Sequence, residues 1–143
     1  MNVEKISADF QLVGNTIKKF EINNNFIAIP MHLNVEKNLE VSYRIKNIDT
    51  IEGEEGFIGI VCLFVNATIQ HDNRHMDFEL EMDGCFSLSG TNDIENMKEM
   101  LSLNGCAALY SIARGYIMSV TSQICLNGTI HLPMINAFKL KEE

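Results

Sequence analysis

The strongest constraint on this chain is a stretch near its end, Ala107 to Cys125, whose only charged residue is Arg114. Leu109, Ile112, Tyr116 and Val120 recur there at helical spacing. A helix this apolar has to be covered on most of its sides. On another face Ala107, Ser111, Gly115 and Ser119 recur every four residues as a ridge of small side chains. A stripe of large residues packs on a sheet, whereas a small ridge lets another backbone come close. The ridge is expected to pack within its own subunit or against a second copy, giving a dimer or tetramer. With one long helix in 143 residues, a contact between copies is the sharper expectation. The apolar window from Leu101 to Leu126 is long enough to raise the question of a membrane span. Arg114 near its centre, with Asn104 and Gln123, argues against one.

The first two thirds supply the sheet. Ile6, Ala8, Phe10 and Leu12 alternate with polar neighbours until Gly14-Asn15 breaks the run. Phe20 and Ile22 continue it weakly up to an Asn23-Asn24-Asn25 turn. Leu39, Val41, Tyr43 and Ile45 face one way, with Glu40, Ser42, Arg44 and Lys46 the other, as in a half-buried strand. Phe57 to Val65 is nearly all apolar and predicts a central strand covered on both faces. His71 to Arg74 makes a hairpin loop. Beyond it Met76, Phe78, Leu80 and Met82 alternate strictly with Asp77, Glu79, Glu81 and Asp83. A short helix is expected from Asn92 or Asp93, a suitable N-cap with acids in its first turn, and Asn104-Gly105 interrupts it before the long one.

The acidic strand carries much of the charge. The net charge is −8, and Asp49, Glu52, Glu54, Glu55, Asp72, Asp77, Glu79, Glu81 and Asp83, set against Arg74, account for all of it. An acidic chain is a poor nonspecific binder of nucleic acid. Successive acids from Asp77 to Asp83 point one way at about 6.5–7 Å intervals, too open for a catalytic pair. They form either a solvated sheet face or a docking face for a basic partner.

Other chemistry is sparse. No glycine-rich phosphate loop is present. His71 and His75 sit with Asp72 and Asp77 in a polar hairpin, so no metal site is expected. Cys62, Cys85, Cys106 and Cys125 lack metal-ligand spacing, lie in apolar stretches and read as buried free thiols of a reducing compartment. No context pairs a thiol with His131 as a nucleophile. The opening Met1-Asn2-Val3-Glu4-Lys5 lacks the basic and apolar regions of a signal peptide. The expectation is a cytoplasmic, non-enzymatic single domain over residues 1–143 with no cofactor. Near the end, Leu126, Ile130, Leu132, Met134, Ile135, Phe138 and Leu140 run through a stretch containing Gly and Pro, and either cap a core or line an apolar groove. Eight methionines suit an adaptable surface and serve equally well as core filler.

One ordered set of motifs is more specific. A strand leads into Gly-Cys-Phe-Ser-Leu-Ser-Gly (84–90), a short helix, Leu-Tyr-Ser-Ile-Ala-Arg (109–114), Ile-Met-Ser-Val-Thr-Ser (117–122), a loop, and Leu-Pro-Met-Ile-Asn (132–136). This order resembles the SecB export chaperones over Phe57 to Phe138, with a looser continuation back to Phe10. The resemblance implies an α+β protomer, a four-stranded antiparallel sheet with a long C-terminal helix packed on it. It implies dimers joined through the long helices into a tetramer. It also implies an ATP-independent holdase that binds unfolded or precursor proteins in apolar grooves. By position, the groove residues are Leu39, Val41 and Tyr43 on the second strand and Leu126, Ile130, Leu132 and Met134 in the crossover loop.

Departures from the family bear on the partner. In the export chaperones an acidic surface docks the SecA motor, with a first-strand pattern like Lys-Asp-Ile-Ser-Phe-Glu. Here the aligned stretch is Lys18-Lys19-Phe20-Glu21-Ile22-Asn23, so both matching acids are gone. Glu79 falls where the family has a docking Glu, among Asp77, Glu81 and Asp83. Ser111 replaces a helix Pro, and the sequence ends at Glu143, where the family continues into a further helix. A chaperone dedicated to an antitoxin client fits these departures as well as an export factor does. A non-catalytic adaptor subunit that kept the fold is the third reading.

Overall fold

The computed structural model describes residues 9–25, 36–124 and 130–143. The elements run β1 (Phe10–Asn24), β2 (Glu36–Thr50), β3 (Gly56–His71), β4 (Arg74–Ser89), α1 (Ile94–Met100), a π turn (Leu101–Gly105), α2 (Cys106–Ile124), a 3-10 turn (Ala137–Lys139) and β5 (Lys141–Glu142). The sheet order is β1-β4-β3-β2-β5. The four long strands are antiparallel, and β5 adds to the outer edge of β2 in parallel. The four-stranded antiparallel expectation is therefore corrected to a five-stranded mixed sheet. Two residues are too few to leave any periodicity in sequence, and β5 exists because the returning chain finds unpaired β2 groups beside it.

Strand alternation decides which face is buried. Met76, Phe78, Leu80, Met82, Phe86 and Leu88 of β4 pair with Ile69, Ala67, Val65, Leu63, Gly59 and Phe57 of β3 on the helix side. Apart from half-buried Ala67, all of these are buried and form the centre of the core. The opposite face of β3 is not fully covered, contrary to the two-sided expectation. Cys62 is buried there, but Ile58 is exposed and Phe64 half-buried under the Arg44 guanidinium, 5.4 Å from its ring centre. β1 runs on through Gly14 and Asn15 and through the expected Asn turn. Register shifts between Leu12 and Gly14 and between Ile17 and Lys19 absorb the irregular sequence as bulges.

The helix begins where the sequence places it. Asp93 caps α1 by accepting the Glu95 N–H at 3.0 Å. Asn104-Gly105 does not end it. Leu101 to Gly105 forms a π turn, and the helix passes without a break from Ile94 to Ile124. The buried positions explain the extra residue. Met97 and Leu101 are four apart, but Leu101 and Cys106 are five apart, and the wide turn keeps both on the sheet side. In α2 the sheet-facing set is Cys106, Leu109, Tyr110, Ala113, Ile117 and Thr121. Ile112, Tyr116 and Val120 flank it half-buried, with Tyr116 edge-on to Phe20 of β1 at 5.3 Å.

Candidate functional site

The segment after α2 is fastened to the helix by polar groups. The buried Thr121 hydroxyl donates to the Ile117 carbonyl at 2.7 Å and accepts the Ile130 N–H at 2.8 Å. Arg114 Nε donates to the Leu132 carbonyl at 3.1 Å, and the Tyr110 hydroxyl donates to the Pro133 carbonyl. The lone helix charge is thus a clamp on the return chain. Burial pushes the Tyr110 hydroxyl pKa up, with Arg114 opposing. Ile130 and Leu132 are consequently buried in the core cluster, and Leu39, Val41 and Tyr43 pack against that same cluster half-buried. Met134, one residue past the clamp, is 81% exposed, as is Phe138 at 80%. Leu126 lies outside the described residues.

Thr121→Val keeps the shape but leaves the buried Ile130 N–H without its acceptor. The expected loss is about 1–3 kcal/mol of stability. Native-state hydrogen exchange should show faster exchange at Ile130 than at the β3 and β4 amides.

From residue 133 the chain turns toward the sheet edge. Asn136 caps the 3-10 turn by accepting the Phe138 N–H at 3.0 Å. β5 then reaches β2, with Ser42 opposite Lys141 and Tyr43 opposite Glu142. The Glu143 N–H donates to the Tyr43 carbonyl at 2.8 Å, and Ser42 Oγ donates to the Glu143 carboxylate at 2.7 Å. Burial, then the Glu142 charge, raises the Tyr43 pKa. On one side of this contact lies a cavity of about 630 Å³ lined by Tyr43, Ile45, Glu95, Glu99, Ser102 and Glu142 among others. On the other lies one of about 520 Å³ that includes Leu39, Val41, Lys139 and Glu142. Leu39 and Val41 therefore line one cavity and Tyr43 the other, both with mostly polar walls, while Ile130 and Leu132 lie under the clamp.

The four acids of β4 stand together on the far face of the sheet but are not bare. Lys19 of β1 reaches Glu79 at 3.0 Å, and Asn23 donates to Asp77 at 3.1 Å. Lys46 of β2 crosses β3 to reach Asp83 at 2.8 Å, and the Cys62 thiol beneath it lies 3.9 Å from Glu81. These bonds raise the pKa of both lysines, so both stay charged through neutral pH. Burial, helped by the neighbouring Asp83, pushes the Cys62 thiol up to about 12, and burial does the same to Cys106. Neither is a nucleophile near neutral pH. Among the described residues, no three His, Cys, Asp or Glu side chains gather as metal ligands. No described helix is long and apolar enough to cross a membrane.

The small ridge of α2 faces away from the sheet. Ala107, Ser111, Gly115 and Ser119 are all exposed, and a Cβ built on Gly115 would meet no atom within 4 Å.

A long helix laid across a four-stranded antiparallel sheet, with the return chain clamped beside it, recurs in solved structures of low sequence identity. One solved structure with this fold is a SecB-like chaperone of Mycobacterium tuberculosis in complex with a ChAD peptide from the antitoxin HigA1. Its TM-score to this chain is 0.67 at 16% identity, covering 88% of this chain and 90% of the other. A protein of unknown function from Streptococcus agalactiae aligns with TM-score 0.52 at 12% identity, over 87% of this chain and 97% of the other. No protein-family model matches the chain, and no curated protein matches it in sequence.

Proposed function

We propose that this chain is a nucleotide-independent chaperone of the SecB-like class that holds a non-native polypeptide segment, with an antitoxin as its dedicated client. The observation that carries the reading is the shared fold with a chaperone solved on an antitoxin peptide, together with half-buried Leu39, Val41 and Tyr43 along β2 beside two open cavities. An export role with SecA docking is the second reading. It is disfavoured because Lys19 and Lys46 occupy Glu79 and Asp83, which lowers the field a basic partner would meet.

Light scattering of a chemically denatured client tests the proposal directly. Suppression of aggregation near stoichiometric amounts, without nucleotide, supports holdase activity. No suppression, with a single folded partner in pull-downs, would make the chain an adaptor instead.

The exposed ridge of Ala107, Ser111, Gly115 and Ser119 is assigned in this proposal to helix contacts between copies. Gly115→Leu tests that assignment cleanly, because the site is open within the protomer and the fold has no reason to fail. The mass by multi-angle light scattering should fall to that of a smaller assembly, and an unchanged mass would sink the interface.

A further inference from the structure

β5 stands between the two cavities along β2, and Glu142 lines both. The partition is slight. β5 pairs with Ser42 and Tyr43 alone of the fifteen residues of β2. Lys141, Glu142 and Glu143 are exposed, and the pairs Glu143 makes with Ser42 and Arg44 are surface contacts of small net worth. Lifting β5 would join the cavities into one trough beside Leu39, Val41, Tyr43 and Ile45, and would free the strand edge that an extended chain pairs with.

We propose that the β2 edge is a strand-exchange site: the C-terminal strand holds it in the free protein, and an extended client segment takes its place. The inference rests on the chaperone reading and deepens it. The occupant has apolar residues at alternate positions, which lie on the helix side with Leu39, Val41, Tyr43 and Ile45. The intervening positions lie on the far face, where the displaced strand sets Glu143 4.0 Å from Arg44, so Asp or Glu there is favoured. Backbone pairing supplies affinity without sequence information, and the alternating apolar contacts set the register.

The test is a staple. Ser42→Cys with Lys141→Cys places two thiols on paired residues of adjacent strands, within disulfide reach. Loss of free thiols and an unchanged circular dichroism spectrum establish the staple. The probe is a fluorescein-labelled peptide of alternating Val and Glu, with a Val–Lys peptide for comparison, read by fluorescence polarisation. The oxidised protein should bind the Val–Glu peptide at least about tenfold more weakly than the reduced form, with reduction restoring it. Glu143→Pro removes the N–H that bonds Tyr43 and should tighten binding several-fold. Equal binding by oxidised and reduced protein, or no gain from Glu143→Pro, overturns strand exchange. Absent peptide binding with intact suppression of aggregation overturns strand exchange alone, whereas loss of both removes the chaperone reading as well.

Discussion

Leu109→Ala is expected to destabilise the protein by about 3–5 kcal/mol, read as a lowered midpoint in urea with an unchanged slope. Leu109 is fully buried over Gly84 of β4. The approach is close because β4 has Gly84 there. A Cβ on Gly84 would stand 2.6 Å from Leu109 Cδ2 and 2.8 Å from the Phe86 ring. Truncating Leu109 removes the side chain that fills that space. The neighbours cannot close in, since Phe86 is stacked on Phe10 at 4.9 Å and Tyr110 is held by the Pro133 carbonyl. The cavity should therefore persist. A cost below about 1 kcal/mol would show that the helix can settle onto the sheet, and that the Gly84 approach is not tight.

Gly56→Ala should cost roughly 2–5 kcal/mol, with a thermal midpoint lower by about 7–17 °C. Gly56 opens β3 opposite Ser89 with φ +153°, a conformation that residues with a Cβ rarely adopt. The added Cβ would also sit 2.4 Å from the Leu88 carbonyl oxygen, which belongs to the sheet backbone. A flexible side chain could turn away, but a strand carbonyl cannot. The same glycine accepts the Ile51 N–H at 3.2 Å, so the strain reaches the β2–β3 connection. Gly53→Ala makes a useful comparison. Its φ is +78° but its surroundings are open, so it isolates the backbone part of the cost from the clash.

Much of the core was legible because strands and helices write different periods. The alternation from Met76 to Met82 marks the buried face of β4 residue by residue, and Asp93 marks the start of the helix. The apolar run from Phe57 to Val65 was less informative, since a continuous run does not say which side is covered. The Asn104-Gly105 dipeptide has the look of a break, yet the wide turn that carries it keeps the phase of the buried residues. Of the expected groove, Leu39, Val41 and Tyr43 share one face by period alone. The positions of Ile130 and Leu132 depend on bonds to Thr121, Arg114 and Tyr110, which are distant in sequence.

The sequence by itself determined that this chain would lay one apolar helix on a sheet with an acidic outer face, because side-chain periodicity is a local property. Tertiary structure alone decided the partners of those charges. Lys19 and Lys46 reach Glu79 and Asp83 only because β1 and β2 lie on opposite sides of the β3–β4 hairpin. It also decided that the last residues return to the sheet edge. Edge pairing satisfies any backbone, whatever its side chains, so β5 carries no sequence signature of its own.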